Sequence, residues 1–178
     1  MISFPQKSQM IENAISGKSY SLQAIDSIQA SDVHVGKVAS ICNEPEVYEW
    51  LYSEMFEGKP YPPKSAVGWM AWGTEGWENG THFVFVVLDS SGEIAAACDI
   101  KSSDPGHAEI GYWVGKDHRG IMTNAVTAML GLAEQAGLEG FYAEVHLENV
   151  RSQAVLNRAG FKMSADKANK SNHLVYKK

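Results

Sequence analysis

Three apolar runs lie close together in the middle of the chain, and they limit the folds that the sequence can adopt. The runs are THFVFVVLD, GEIAAACDIK and HAEIGYWVG, and the short turn-forming segments SSG and SSDPG separate them. Turns of this length connect neighbouring antiparallel strands, whereas parallel strands need a much longer connection. The first run is apolar on both faces, so we expect it to lie at the centre of a sheet.

An alternation of helices and strands follows these runs. Helical spacing begins after Gly120 and continues to about Gly137, with Met122, Val126 and Met129 on one face. The strand GFYAEVHL, the short helix ENVRSQAVLNRAG and the closing strands FKMSAD and NHLVYKK complete the chain. This order predicts an α/β domain, in which helices flank a mixed, mostly antiparallel sheet with one crossover pair.

The first half of the chain supplies one more strand and several helices. SYSLQAI alternates as a strand does, and the segments SDVHVGKVASICN and PEVYEWLYSEMF carry apolar residues at helical spacing. The segment KSAVGWMAWGTEGWENG is predicted to be helical as far as Trp72 and frayed beyond it by Gly73 and Gly76. Its tryptophans are expected to pack over the sheet, or to line an acceptor site beside Trp50 and Tyr52.

Length and charge exclude several functional classes. The 178 residues suit one domain, and the net charge of −6 argues against non-specific nucleic-acid binding while permitting a cationic substrate. Cys42 and Cys98 form neither a disulfide framework nor a metal-ligand pattern, and the histidines lack metal spacing. We find no signal-peptide pattern and no apolar run that could cross a bilayer, so we expect a cytoplasmic location and no membrane partner.

The turn at Gly120 is the strongest local feature. The polar residues Lys116 to Arg119 precede it, and no strong N-cap side chain stands where the helix begins. The unpaired N–H groups of such a helix end suit a phosphate or pyrophosphate, with Arg119 as an added cation. An ordinary turn whose amides face water explains the same residues. The turn matches neither a Walker loop nor a complete dinucleotide-binding fingerprint.

A second feature is the segment ENVRSQAVLNRAGF, which brings Asn149 and Ser152 near one helix end. Plain capping accounts for Asn149 by itself. Together with AEIGYWVGKDHRGIMTNAV, however, this segment resembles the core of the GNAT superfamily of acyl-CoA-dependent N-acetyltransferases. The pair is most similar to the RimJ/RimL branch of ribosomal-protein N-terminal acetyltransferases. The segment ASDVHVGKVASICNEPEVYEWL also resembles the N-terminal helices of this branch.

The resemblance extends over nearly the whole chain after about Ser19. We therefore assign residues 1–18 to an N-terminal extension and residues 19–178 to a GNAT domain. The resemblance implies a GNAT fold and transfer of an acetyl group from acetyl-CoA to a primary amine, with a protein or peptide N-terminus as the favoured acceptor, and it permits a homodimer. The alternatives are a small-molecule acceptor such as a polyamine, an amino acid or an antibiotic, and a catalytically weak acyl-CoA-binding module.

The resemblance also implies roles for individual residues. Glu109 is expected to remove the proton of the amine, since a free alkyl amine has a pKa of about 10. Ser152 or Tyr112 is expected to protonate the departing thiolate, the N–H of Val114 to stabilise the oxyanion, and Asn149 to hold the pantetheine amides. The remaining cofactor contacts are assigned to Trp113 and Val114 beside the thioester and to Arg119, Gly120, Ile121, Met122 and Thr123 at the pyrophosphate.

Two positions depart from the pattern of the family. The family's loop is Gln/Arg-x-x-Gly-x-Gly/Ala, and counting back from Gly120 puts Asp117 at its first position and Met122 at its last. A shortened loop, in which Arg119 takes the basic role, is the other alignment. Many relatives also carry a tyrosine seven residues after the asparagine, where this chain has Leu156, which cannot donate a proton.

Overall fold

The computed structural model describes residues 2–178, and its core is an eight-stranded sheet in the order β1-β2-β3-β4-β5-β6-β8-β7. Every neighbouring pair is antiparallel except β5 with β6, which is parallel. The predicted α/β class and mostly antiparallel sheet are therefore confirmed. The strands are β1 (Ser8–Glu12), β2 (Ser19–Ala24), β3 (Phe83–Leu88), β4 (Ile94–Ile100), β5 (Ala108–Val114), β6 (Phe141–His146), β7 (Lys162–Met163) and β8 (His173–Lys177).

In the described part of the chain, six α-helices cover the two faces of the sheet. They are α1 (Asp32–Cys42), α2 (Pro45–Leu51), α3 (Ser53–Phe56), α4 (Pro63–Asn79), α5 (Met122–Gln135) and α6 (Val150–Arg158). Trp113 of β5 contacts Trp69 of α4, whereas Tyr112 bonds to Ser152 of α6. Because successive strand residues point to opposite faces, α4 and α6 lie on opposite sides of β5. Helix α1 packs with α4, and α5 packs with α6.

Helix α4 is continuous over seventeen residues, so the predicted fraying after Trp72 is wrong. The glycines in its second half face the sheet. A Cβ on Gly73 would lie 3.0 Å from Ile25 and 3.1 Å from Val84, and one on Gly76 would lie 2.5 Å from the backbone oxygen of His82. The two glycines thus let the helix approach β3 closely, and this tertiary packing outweighs their low helix propensity.

Two tryptophans of α4 pack against the sheet and its margin, in agreement with the first of the two interpretations. Trp77 contacts Phe83 and Phe85 of β3, and its indole N–H donates to the carbonyl oxygen of Val84. Trp72 stacks on His82, with ring centroids 3.9 Å apart. This packing fixes the helix over β3.

Strand β1 lies in the segment expected to be an N-terminal extension. Its five residues pair with β2, so the sheet begins before residue 19. The tip of this hairpin reaches across the molecule, where the N–H of Ala14 donates to the carbonyl oxygen of Gly120. The hairpin therefore contacts the turn that precedes α5.

Strands β5 and β6 pair over a short distance and then separate. Their register contains Ala108 with Phe141 and Glu109 with Tyr142, and β6 pairs with β8 along its remaining length. The opening between the carboxyl halves of β5 and β6 is called the split below. Within residues 2–178, no helix has the length and apolar character needed to span a membrane.

We predict that Gly76→Ala lowers the free energy of unfolding by about 1–2 kcal/mol, because a methyl group there overlaps the backbone of His82. Gly68→Ala is the matched control, since a Cβ at this exposed position of α4 meets no atom within 4 Å. The control should raise stability by up to about 1 kcal/mol through helix propensity. Urea unfolding measures both effects, and equal stabilisation by the two substitutions would contradict the close approach of α4.

Candidate active site

The split exposes the backbone edge of β5. The N–H of Lys101 donates to the oxygen of Glu109, and that of Gly115 donates to the oxygen of Ala95, so the odd-numbered residues of β5 bond to β4. In an antiparallel ladder the alternate residues direct their N–H groups to the other side. The N–H of Val114 therefore points towards the split, beyond the last paired residue of β6.

A hydroxyl pair bridges the split on the α6 side. The Tyr112 hydroxyl lies 2.7 Å from Ser152 Oγ and also donates to the Ser152 carbonyl oxygen at 3.0 Å. Burial raises the pKa of Tyr112, so the phenol keeps its proton at neutral pH. Asn149 Oδ1 accepts the N–H of Ser152 at 3.1 Å, which confirms Asn149 as the N-cap of α6 and fixes the position of Ser152.

Two carboxylates and a lysine occupy the opposite face of the sheet, under α4. Glu109 of β5 forms an ion pair with Lys101, which follows β4. Asp99 of β4 lies opposite Gly111 of β5, and its Oδ1 atom is buried with no hydrogen-bond partner among residues 2–178. We call Asp99, Lys101 and Glu109 the acid–lysine cluster. Strand alternation thus separates the carboxylates from the hydroxyl pair of Tyr112 and Ser152.

The environment of the acid–lysine cluster shifts the ionisation of two of its members. Burial raises the pKa of Asp99, and the nearby Glu109 carboxylate adds to this effect while Lys101 opposes it. Burial disfavours the charge of Lys101, but Asp99 and Glu109 together outweigh burial and raise its pKa. Lys101 therefore remains a cation, and Asp99 holds a proton more strongly than an exposed aspartate does.

The Gly120 turn presents its amides away from the N-terminal hairpin. Asn13 Nδ2 donates to the carbonyl oxygens of His118 and Arg119, and the N–H of Ala14 donates to the carbonyl oxygen of Gly120. In a trans peptide the N–H points opposite to the C=O. The N–H groups that follow these three carbonyls, those of Arg119, Gly120 and Ile121, are therefore directed away from the hairpin.

Glycine is required at position 120. Its φ is +101°, and a Cβ would lie 2.5 Å from Asn13 Oδ1. Helix α5 then begins at Met122 with Ile121 in the N-cap position, and no side chain in the described part of the chain caps it. The side chains of Ile121 and Met122 are buried, so these residues face the turn only through their backbone.

Charged side chains close one side of the Gly120 turn. The Glu46 carboxylate, in the first turn of α2, binds both Arg119 and Arg151 of α6. The hydrogen bond from Arg151 is the largest cause of the lowered pKa of Glu46. Glu44 accepts the N–H of Lys116 at 2.7 Å. The side chains of Glu46, Arg119 and Arg151 are about half exposed. Their ion pairs therefore position the arginines and add little stability.

The other predicted positions fall around these groups. Trp113 is buried against Trp69, and the Thr123 hydroxyl accepts a hydrogen bond from Arg158 of α6. Leu156 is fully buried, so the position where relatives carry tyrosine belongs to the core here. His118 is held by the Tyr20 hydroxyl at 3.0 Å.

Sequence reasoning missed three residues of this region. Asn13 lies in the assumed extension, and its contacts span more than a hundred residues, which no local pattern reveals. Asp99 is a lone acid in the apolar run IAAACDI, and that isolation was the available signal. Glu46 resembled an ordinary acid in the first turn of a helix.

Other candidate sites are separate from the split. A groove of about 370 Å³ lies between α1 and α4, and its lining includes Val67, Ala71 and Glu78 but no residue of the split. Across residues 2–178, no three His, Cys, Asp or Glu side chains are grouped so that they could hold a metal ion.

Comparisons with known proteins agree with this architecture. The profile of the acetyltransferase (GNAT) domain family matches residues 27–162. The search of curated proteins found no significant match. Mycobacterium smegmatis RimJ in complex with CoA-disulfide is similar in structure, with a TM-score of 0.76 and 21% identity over 98% of this chain and 87% of that chain.

Two further solved structures share the fold. RimL, a ribosomal L7/L12 alpha-N-protein acetyltransferase in complex with coenzyme A, has a TM-score of 0.70 and 17% identity over 96% of this chain and 97% of that chain. The microcin C7 self-immunity acetyltransferase MccE, in complex with acetyl-CoA and AMP, has a TM-score of 0.69 and 18% identity over 88% and 91% of the two chains. Identities this low are evidence for the fold alone.

We predict that Asp99→Asn removes a pH-dependent loss of stability. Because the Asp99 carboxyl has a raised pKa in the folded state, its protonation favours folding at a pH below the ordinary aspartate pKa of 3.8. That advantage is lost as the pH rises through the folded-state pKa. The melting temperature of the variant relative to the unsubstituted protein should therefore increase with pH across this interval. Asp104→Asn, in the exposed β4–β5 loop, is the control and should show no such trend. A pH-independent difference would contradict the burial of the Asp99 charge.

Proposed function

The chain belongs to the GNAT acetyltransferase family, because the family profile matches most of its length, and it is an N-acetyltransferase. From this premise we propose that it transfers the acetyl group of acetyl-CoA to a primary amine, with a protein or peptide N-terminus as the favoured acceptor. The observation that carries the proposal is the Gly120 turn, whose amides are directed away from the hairpin at the end of the split. A pyrophosphate is the natural partner for such an array.

The residues around the turn fit this co-substrate. The N–H groups of Arg119, Gly120 and Ile121 and those of the first turn of α5, Met122 and Thr123, would donate to the pyrophosphate oxygens. Arg119 and Arg151 would add positive charge when the phosphates displace Glu46 from them. Towards the centre of the sheet, the Nδ2 group of Asn149 would bond to the pantetheine, since its Oδ1 is already used in capping α6.

We further propose that the side chains on the two faces of β5 carry out different steps of the reaction. An acceptor amine approaches from the α4 side, where Glu109 takes its proton directly or through a water molecule. The neutral nitrogen then attacks the thioester carbon, which lies beside Trp113 and Val114. The N–H of Val114 donates to the oxygen on which negative charge develops.

Collapse of the tetrahedral centre breaks the carbon–sulfur bond, and the sulfur leaves with the bonding electron pair. The nitrogen releases its second ammonium proton to water as the amide forms, and water restores any proton that the hydroxyl pair gives to the sulfur. Tyr112 and Ser152 lie on the α6 side as a hydrogen-bonded pair, and one of them would protonate the thiolate. The raised pKa of Tyr112 keeps the phenol protonated but makes it a weak proton donor, so its contribution is a hydrogen bond to the sulfur as negative charge develops there. Because Leu156 is buried, the pair takes the place of the tyrosine found in many relatives.

A panel of acceptors tests the function. Release of free thiol from acetyl-CoA is measured with free-amine peptides, with 1,4-diaminobutane and with amino acids. RimL is a ribosomal L7/L12 alpha-N-protein acetyltransferase and MccE is a microcin C7 self-immunity acetyltransferase, so likeness in fold alone leaves both a protein N-terminus and a different amine to be tested. CoA binding without thiol release for any amine would leave an acyl-CoA-binding module, and absence of CoA binding would overturn the proposal.

We predict that Glu109→Gln lowers turnover by about a hundredfold at neutral pH, because the amine loses its proton acceptor. The loss should shrink as the pH approaches the pKa of the free amine, since the substrate then arrives deprotonated. Thiol release measured across this range, together with CoA affinity by calorimetry, separates proton transfer from binding.

Glu139→Gln is the matched control for this substitution. Glu139 is an exposed glutamate that precedes β6, and its replacement should leave the pH–rate profile unchanged. An unaltered profile for Glu109→Gln as well would remove Glu109 from the proposed role.

We predict that Asn13→Asp weakens CoA binding about tenfold while binding of pantetheine, which lacks the pyrophosphate, is unchanged. Aspartate keeps the Oδ1 acceptor for the N–H groups of Ile15 and Ser16 but loses both donations to the turn carbonyls. The turn then loses its hold on the hairpin, and its amides are no longer aligned.

Asn43→Asp makes the same chemical change in another asparagine that holds a loop, through the carbonyl oxygens of Ala39 and Tyr61. This control should reduce stability without changing CoA affinity. Equal losses of affinity for CoA and pantetheine in Asn13→Asp would show that the substitution acts through general destabilisation.

A further inference from the structure

Helix α2 connects the two strands that separate at the split. Its N-cap residue, Glu44, accepts the N–H of Lys116, just beyond the end of β5, at 2.7 Å. Near the other end of the helix, the ring of Trp50 lies on the ring of His146, the last residue of β6, with centroids 5.1 Å apart. The helix therefore spans the opening between the carboxyl ends of β5 and β6, which we call the mouth of the split.

Glu46 joins the two sides of the mouth through a single atom. Its Oε2 accepts hydrogen bonds from Nη2 of Arg119 and from Nη1 of Arg151. Arg119 lies in the turn that follows β5, and Arg151 lies in the first turn of α6, which follows β6. Two guanidinium groups that converge on one anionic oxygen suit a phosphate oxygen equally well. We call Arg119 and Arg151 the arginine clamp, and a carboxylate of the chain itself is bound to it.

Helix α2 is held at the mouth mainly by contacts at the surface. Across Pro45–Phe56, which includes α2 and α3, Val47 is the one buried side chain. The three members of the Glu46 contact are about half exposed, and ion pairs of this kind contribute little free energy. An element with so few buried apolar contacts opens at low cost. The helix can therefore move away from the arginine clamp without exposing much of the core.

A phosphate at the Gly120 turn and the Glu46 carboxylate require the same place. Arg119 adjoins Gly120 in the chain, so a phosphate on the turn amides lies beside the arginine clamp. Two anions held next to each other repel, which disfavours binding of both at once. A phosphate carries more negative charge and more acceptor oxygens than a carboxylate, so it is the stronger partner for the two guanidinium groups.

Resting on the proposed function, we propose that Glu46 is an internal competitor of the acyl-CoA phosphates and holds α2 over the mouth of the split. Binding of a phosphate to Arg119 and Arg151 displaces the carboxylate. Helix α2 then loses its link to both sides of the mouth, and its mobility rises as the co-substrate binds. Glu46 thus weakens the affinity for CoA and couples the position of α2 to occupancy of the phosphate site.

Calorimetry with CoA tests the competition without turnover. Glu46→Gln removes the competing charge and should tighten CoA binding about fivefold. Inorganic pyrophosphate, a smaller probe of the same site, should gain affinity in the same direction. Glu49→Gln is the matched control, because Glu49 is an exposed glutamate of the same helix outside the arginine clamp, and it should leave CoA affinity unchanged. If Glu46 only positioned the arginines, its replacement would weaken CoA binding, so a loss of affinity or no change would overturn the inference.

A double-mutant cycle tests whether the effect passes through the arginine clamp. In an Arg151→Gln background, one of the two contacts of Glu46 is already absent. Glu46→Gln should then tighten CoA binding by only about twofold, because less competition remains to be removed. A full fivefold gain in this background would show that Glu46 acts only through the general charge of the protein, which would overturn the inference.

Amide hydrogen exchange measures the release of α2. In the unsubstituted protein, CoA should slow exchange in the Gly120 turn but accelerate it in α2, whereas a ligand that only covers the helix would slow both. In Glu46→Gln, α2 should exchange rapidly before CoA is added and change little on binding. Slower exchange of α2 in the unsubstituted protein on CoA binding would overturn the release of the helix.

The outcomes separate this inference from the proposed function. CoA binding without a gain of affinity in Glu46→Gln would overturn the inference and leave the proposed function in place. Absence of CoA binding by the unsubstituted protein and by every variant would instead overturn the proposed function, on which the inference rests. A melting temperature for each variant verifies that changed affinity does not reflect unfolding.

Discussion

The separation of β5 from β6 is the constraint on which the rest of the site depends. Two paired positions join the strands, and beyond them the N–H groups on one edge of β5 lose the neighbour that a continuous sheet would supply. The hydroxyl bonds of Tyr112 to Ser152 span the opening. Strand alternation then assigns Glu109 and Tyr112 to opposite faces. A single change in strand pairing therefore produces an open backbone edge, a cleft and two chemically different walls.

Two polar features without internal partners lie on β4 and at the start of α5, although Asp26 Oδ1 and His34 Nδ1 are also unpaired at other places in the described residues. The first turn of α5 has no side-chain cap in the described chain, and Asp99 holds a buried carboxylate oxygen without a donor. Elsewhere, asparagines satisfy local backbone groups, as Asn43 does for the chain at Tyr61. Such departures from internal satisfaction are expected where a protein binds other molecules, because the missing partners arrive with the ligand.

Much of the fold could be predicted because the relevant signals are local. The apolar run of β3 and the glycine at the end of α5 are sequence features of strands and helix ends. Helix α4 was underestimated because Gly73 and Gly76 have low helix propensity, and their fit against β3 is a tertiary effect. The motif residues Tyr112 and Ser152 could be named from the family resemblance, but their contact depends on the geometry of the split.

Other features could not be predicted because they join distant segments. Glu46 gave no sign that it would hold Arg119 and Arg151, since each of these pairs connects separate elements. Asp99 was noticeable only as an acid among apolar residues, and its unpaired oxygen depends on the position of Lys101 relative to Glu109. Propensity and spacing contain no information on such contacts.

The hydrogen bonds from Asn13 to the carbonyls of His118 and Arg119 also affect the order in which parts of the molecule fold. The two bonds join residues that are separated by 105 and 106 positions in the sequence. During synthesis they can therefore form only after most of the polypeptide has left the ribosome. Contacts of such high sequence separation carry a large loop-closure cost and tend to form late in folding. A nascent chain can therefore pair neighbouring strands such as β3 and β4 before Asn13 holds the turn at Gly120 in place.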